Sequence, residues 1–145
     1  MERARTRLTR MTEQLRIPIH IVDLRSEFQS RVIDYFTRTY QSGKTPNPCL
    51  PCNPAIKFGI LMEKARLFGA THLATGHYAR IRTSANGRMQ LFRGKDPQKE
   101  QSYFLARLTQ GQLASALMPL GDYTKEQTRQ IAREKQLQPA ASQES

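Results

Sequence analysis

A chain of 145 residues with 38% apolar residues can bury one core of ordinary size, or it can be a piece of something larger. Lys and Arg number 23 against 12 Asp and Glu, a net charge of +11 and a pI near 10.3, which points to a polyanionic partner with nucleic acid the leading candidate. No apolar run approaches the roughly 20 residues of a membrane span, and no apolar segment follows the basic N-terminus as a secretory signal would require.

Residues 1–16 predict a helix carrying Arg3, Arg5, Arg7, Arg10 and Arg16, with Leu8, Met11 and Leu15 as an apolar stripe that packs. After Pro18, the Ile- and Val-rich run Ile19 to Leu24 predicts a buried strand, with His20 inside it as a packed residue rather than a ligand. Ser26 and Gln29 have the spacing of a capping box. Phe28, Val32, Tyr35 and Phe36 then form the apolar face of a second helix that ends near Tyr40, before Ser42 and Gly43.

Both cysteines lie in the next stretch, Thr45 to Phe58, with four of the eight prolines. Pro46, Pro48 and Pro51 predict a stiff, extended loop. Asn53 followed by Pro54 predicts a helix start, since Asn is a favoured N-cap and proline suits the first helical position. Phe58, Leu61, Ala65 and Phe68 continue at helical spacing to a stop at Gly69. Cys52 would then sit one residue before the cap, where the helix N-terminus, with Lys57 one turn on, favours the thiolate, which is both nucleophile and metal ligand. The alternative is a buried, inert cysteine. A C-x-x-C pair in a chain without a signal suits a reducing, cytoplasmic compartment and a catalytic or metal-binding role.

Thr71 to Thr75 predicts a second strand, and Gly76 and His77 follow at its carboxyl end, where parallel sheets bind ligands. Ser84-Ala85-Asn86-Gly87 predicts a hairpin turn between 78–82 and 89–93. Arg93, Lys95, Lys99 and Arg107 surround Gln101-Ser102-Tyr103-Phe104, either a phosphate-and-base surface or a solvated loop beside two core aromatics. Gln110 to Leu117 predicts a short helix, and Pro119 to Asp122 a turn. Thr124 with Gln127 caps a last helix to about Lys135. Helices alternating with short apolar strands predict an α/β layer around a parallel sheet. Neither G-x-x-x-x-G-K-[ST] nor G-x-G-x-x-G occurs. A zinc site would have only Cys49 and Cys52, with His72 and His77 at the edge of known spacings.

Three motifs in order make the sequence specific. T-P-N-P-C-x-x-C-N-x-x-I-K-F at 45–58, A-T-G-H-Y-A-R at 74–80 and K-E-Q-S-Y-F-L at 99–105 resemble the bacterial tRNA-specific 2-thiouridylases of the MnmA type. P-I-H-I-V-D-L at 18–24, L-F-R-G-K-D at 91–96 and P-L-G-D-Y-T-K at 119–125 fit the same resemblance, which runs from about residue 12 to the end. It implies a Rossmann-like parallel sheet with flanking helices, of the adenine nucleotide alpha hydrolase or ATP-pyrophosphatase type. Residues 1–120 would form that domain without its first βα unit, and 121–145 the start of the following one.

The activity implied is ATP-dependent sulfur transfer to the wobble uridine of tRNA. ATP, with Mg2+, adenylates O2 of the base, and a persulfide from a sulfur-relay donor protein delivers sulfur to C2. Matched residue by residue, Cys52 is the catalytic nucleophile. Asn47, Pro48 and Cys49 touch the target base, and Gly76 contacts ATP. His77, Lys99, Glu100 and Gln101 contact tRNA. Many relatives have an acidic residue where Cys49 stands. The resemblance also carries a disulfide bond and, through Cys49 and Cys52, room for an iron–sulfur cluster.

The family's S-G-G-x-D-S phosphate loop is missing, and L-Q-P-A-A-S-Q-E-S at 137–145 resembles the approach to a second cysteine that does not follow. The expectation is therefore an interior fragment without thiolation activity of its own. The alternatives are a stand-alone basic RNA-binding module with a Cys-x-x-Cys metal or Fe–S site, and another ATP-pyrophosphatase acting on a small acceptor. The N-P-C-x-x-C-N loop and the basic charge speak against the last.

Overall fold

The computed structural model describes residues 2–137; the side chains of Arg3, Arg5 and Arg7, and the segment 138–145 with most of the expected approach to a second cysteine, lie outside that description. Two compact units are present, one of Asp23–Thr124 and one of Met1–Val22 with Lys125–Ser145.

In the smaller unit, α1 (Glu2–Leu15) forms where the stripe predicts it, but Leu8 and Leu15 remain about half exposed (51% and 47%) rather than packed. It ends at Arg16, whose φ of 54° lets Ile17 N–H bond back to Thr12 C=O at 3.0 Å, the backbone closure usually supplied by glycine. The expected strand at Ile19–Leu24 is absent. A strand is held by pairing, no described strand pairs with this run, and Ile19 and Ile21 stand in solvent. The second helix of this unit, α7 (Lys125–Glu134), closes in the same way as α1, with Gln136 at φ 53°. Gln14 Nε2 donates to Lys135 C=O at 3.3 Å.

The larger unit opens with α2 (Arg25–Phe28), which passes through a wide turn (Gln29–Ile33) into α3 (Asp34–Gln41). The capping box expected at Ser26 is not made. The helix begins two residues earlier, and Asp23 Oδ1 accepts from Arg25 N–H at 3.1 Å instead. The Arg25 guanidinium on the same carboxylate holds its pKa down to about 2. Of the expected apolar face only Val32 is buried; Phe28 and Phe36 are exposed, the latter stacked on Tyr40.

The core of this unit is Phe58, Ala79, Leu105, Leu108, Leu113 and Ala116, with Leu73, Ile81, Met89, Leu91 and Met118 packed on it. β1 (Leu73–Ala74) pairs in parallel with β4 (Ala116–Leu117), Leu73 opposite Ala116. The helix expected over 110–117 is thus shorter, α6 (Gln110–Ala114), because the chain turns at Ser115 to place Ala116 in the core and bond to β1. β2 (Ala79–Thr83) and β3 (Met89–Arg93) form the expected antiparallel hairpin, with Gly87 at φ 78° in its turn. Alternation along the two strands sends Ile81, Met89 and Leu91 to the core and leaves Arg82 and Phe92 outside, the guanidinium over the ring at 5.6 Å. The class is α/β with parallel pairing, as expected.

Candidate functional site

The cysteine loop does not stay extended up to Asn53. The Asn47 side-chain oxygen accepts from Cys49 N–H at 3.2 Å, and helix starts there as α4 (Cys49–Cys52), five residues earlier than the Asn-Pro pair suggests. Pro51 is tolerated because its missing N–H falls in the first turn, where no intrahelical partner exists. Asn53, freed from capping, is buried at 1% exposure. Its Nδ2 donates to Phe104 C=O at 2.8 Å, tying the cysteine turn to the 3₁₀ turn Ser102–Leu105, while its Oδ1 has no partner.

Cys52 therefore lies at the end of the first turn rather than before the cap, half-buried, with Cys49 exposed. Burial pushes the Cys52 thiol up from its ordinary range; Lys57 pulls the other way, and Cys49 adds a smaller upward push. The expectation of a favoured thiolate is corrected. Lost hydration of the half-buried sulfur outweighs the nearby ammonium. Both cysteines are free, so the disulfide carried by the resemblance is not formed between them.

From Asn53 to Leu61 the helix widens before α5 (Met62–Leu67) resumes ordinary pitch. Gly59 breaks the run at φ −102°, ψ −107°, and a Cβ there would sit 2.7 Å from Pro54 C=O. The carbonyls of Pro54 and Phe58 are taken up by Gln112 Nε2 from α6, at 2.8 and 3.2 Å. The same side chain completes a capping box, accepting from Thr109 N–H at 3.1 Å while Thr109 Oγ1 accepts from Gln112 N–H at 3.3 Å.

Beside this widened segment is an open cleft of about 500 Å3, lined by Lys57, Leu61, Leu73, Ala74, Thr75, Gly76, His77 and Gln101. It lies at the carboxyl end of β1, as the sequence places it. Gly76 has neither a left-handed φ nor a close neighbour; an added Cβ would meet only Leu120 Cδ1 at 3.8 Å. Backbone conformation and packing do not demand glycine here. His77 Nδ1 lies 2.8 Å from Thr75 Oγ1, which is also 3.2 Å from Met118 Sδ. Burial, with a smaller contribution from Lys57, lowers the His77 pKa to about 4, so the ring is neutral at physiological pH.

Gln101 is fixed by three points. Its N–H donates to Tyr78 C=O and its Oε1 accepts from Tyr78 N–H, each at 3.1 Å, and it caps the 3₁₀ turn. Glu100 Oε1 accepts from Ser102 N–H at 2.6 Å, and Lys99 N–H bonds Asp96 C=O in the same turn. Of the residues predicted from sequence, the structure brings Gly76, His77 and Gln101 into one cleft with Lys57. Lys99 and Glu100 continue from its edge without lining it, and Asn47, Pro48, Cys49 and Cys52 do not line it either but lie in the turn that leads along the chain into the segment carrying Lys57. Sequence reading misses Thr75 and Gln112. The signal for Gln112 is the T-x-x-Q pattern at 109–112. No group of three His, Cys, Asp or Glu side chains able to hold a metal occurs among the described residues, so Cys49 and Cys52 do not by themselves complete a cluster site. No helix among them is long and apolar enough to cross a membrane.

The family model described as "tRNA methyl transferase HUP domain" matches residues 1–145. The chain is 54% identical over 123 residues to the tRNA-specific 2-thiouridylase MnmA of Geotalea uraniireducens, covering 85% of this chain and 33% of that protein. It is 50% identical over 137 residues to the protein of the same name from Syntrophomonas wolfei (94% and 40%). The figure is again 50%, over 139 residues, for that of Desulfosudis oleivorans (96% and 38%). The chain thus spans about a third to two-fifths of the length of these curated relatives.

Proposed function

We propose, for a chain that belongs to the tRNA methyl transferase HUP domain family, that it forms part of an ATP-dependent tRNA sulfurtransferase making 2-thiouridine at the wobble position. Residues 1–120 are assigned to the nucleotide-binding domain and 121–145 to the opening of the next. The observation that carries the reading is the cleft. It brings together a bare backbone position (Gly76), a neutral imidazole (His77) and an ammonium (Lys57) carried by the helix that follows the cysteine turn.

ATP, with Mg2+, supplies the adenylyl group that activates O2 of the uracil ring and leaves as AMP once sulfur has added at C2. The chain's own residues do the rest of what is assigned here. Asn47, Pro48 and Cys49 present the rim against which the flipped base rests. Gly76 leaves room for the nucleotide, while His77, Lys99, Glu100 and Gln101 contact the tRNA. The outer sulfur of the relay protein's persulfide bonds to C2 as AMP leaves. Cys52 then attacks the inner sulfur, breaking that S–S bond, so that the base keeps the sulfur as 2-thiouridine and Cys52 ends in a disulfide with the relay cysteine. At rest its thiol is protonated, so it must lose its proton before attack, and Lys57 is the cation placed to favour that loss. These 145 residues contain no glycine-rich phosphate loop, so on their own they are expected to hold tRNA without thiolating it.

The test is equilibrium binding of labelled tRNA and of ATP to the purified chain and to Cys52→Ser, at 50 and 200 mM salt (~4-fold apart, enough to read the phosphate contribution). Expected is tRNA binding that weakens steeply with salt and survives Cys52→Ser. A protein that binds no tRNA at low salt, or binds with no salt dependence, overturns the reading.

A further inference from the structure

Among the described features outside the assigned residues, the widened helix segment is unusual because one distant side chain, Gln112, bonds two of its carbonyls. In an α-helix, at about 100° per residue, Lys57 would lie about 140° around the axis from Cys52, on nearly the opposite side. A turn closed at i+5 brings the fifth residue back to the side of the first. The wide segment from Asn53, which kinks at Gly59 before Leu61, supplies that geometry in its first turn, and Lys57 from that turn lines the cleft. Gln112 Nε2 donates to two carbonyls of this segment, Pro54 C=O and Phe58 C=O, on either side of Lys57 in the chain.

We propose that Gln112 is a positioning residue. By clamping the Pro54 and Phe58 carbonyls it keeps the helix wide, and so keeps the Lys57 ammonium on the side of Cys52 and over the cleft. This rests on the reading of Cys52 as the reacting nucleophile. The titratable groups that act on the Cys52 thiol are Lys57 and Cys49, and Lys57 is the one that favours the thiolate. Gln112 acts through Lys57 and touches neither sulfur nor substrate.

The structure separates this role from ordinary stabilisation, because Gln112 uses its two side-chain ends differently. Oε1 serves the capping box with Thr109, and Nε2 serves the clamp. Gln112→Glu keeps an acceptor for Thr109 N–H but has no donor for the two carbonyls. Thr109→Ala damages the capping box and leaves the clamp donor in place.

The experiment measures the rate of iodoacetamide alkylation at Cys52 at a fixed pH of about 8, near a free thiol's pKa, by peptide mass spectrometry on the purified chain. Expected is a fall of about threefold for Lys57→Gln, the size of a partly screened charge contact. Gln112→Glu should fall equally, the double variant no further, and Thr109→Ala should keep the parent rate despite lower stability. Circular dichroism of each variant establishes that it is folded; if Gln112→Glu is not, Gln112→Met, which also lacks the donor, takes its place. A folded donor-less variant alkylating at the parent rate, or a double variant with additive losses, overturns the inference while leaving the nucleophile reading standing. No alkylation of Cys52 in the parent protein overturns both.

Discussion

Gly121→Ala should be the most damaging single methyl in the larger unit. The turn Met118–Gly121, closed by Gly121 N–H to Met118 C=O at 3.0 Å, lies directly against the start of β2. A Cβ on Gly121 would be 2.0 Å from Ala79 C=O and 2.8 Å from Arg80 Cγ. Contacts below 3.0 Å do not persist, so the two backbones must part by about 1 Å in a packed region that deforms little. Ala79 is fully buried in the core and cannot give way toward solvent. Gly121 C=O also accepts from Lys95 N–H at 2.8 Å, and that bond is strained by the same shift. Overpacking of this kind costs about 1–3 kcal/mol, and a lost buried hydrogen bond adds about 1 more, for a total of roughly 3. With a urea dependence of about 1–3 kcal/mol per molar, the unfolding midpoint should drop by about 1 M or more. A midpoint within about 0.3 M of the parent would show that the close approach of turn and strand is not a constraint, and the reasoning fails.

Gly76→Ala is the counterpart: with only Leu120 Cδ1 at 3.8 Å from an added Cβ, the urea unfolding free energy should stay within about 0.5 kcal/mol of the parent. For His77, whose folded pKa of about 4 lies below the 6.5 of an unfolded histidine, the unfolded chain binds the extra proton between those values. Its contribution to stability is therefore present above about pH 6.5 and lost as pH falls toward 4. Urea titrations at pH 5 and 7 should show His77→Gln with the shallower dependence, and an unchanged slope would refute the assignment. Because burial raises the Cys52 thiol while Cys49 is exposed, alkylation of the unliganded chain at pH 7 should label Cys49 first by peptide mass spectrometry. Thr109→Ala should cost about 1 kcal/mol in thermal or urea unfolding, the usual value of an N-cap.

Local signals were legible where the chain itself closes the structure. The turn 84–88 fixes the hairpin within its own residues, Gly87 N–H bonding Ser84 C=O and Asn86 Oδ1 accepting from Arg88 N–H, and the register of β2 on β3 follows. Gly69, at φ 84°, ends α5 as its position suggests. Signals failed where a distant partner decides. The capping pattern Ser26–Gln29 looks as good as Thr109–Gln112, yet only the second is made, since α6 packs where both side chains can serve it. Ala116 and Leu117 become strand only because β1 offers bonds to them, which no local preference reports. Ile19 and Ile21 have strand composition but no described strand beside them. The candidate site followed the same division. Gly76 and His77 were found because strand ends bind ligands, while Thr75 and Gln112 are defined by contacts 43 and 58 residues away in the chain.

The error in the helix start bears directly on chemistry. Placed at Asn53, the helix would have left Cys52 in the field of its N-terminus with Lys57 on an ordinary turn. Begun at Cys49, it would carry Lys57 to the far side unless one residue more than usual is fitted into a turn. Pro54 and Gly59 make that possible: the first has no N–H to donate back along the helix, and the second lacks the Cβ that would strike Pro54 C=O at 2.7 Å. They stand five residues apart, the interval that also separates Cys52 from Lys57. A Cβ at position 59 would force the Pro54 carbonyl to shift, and a shift that carried Lys57 away would leave the thiol with the burial that raises its pKa and without the ammonium that opposes it.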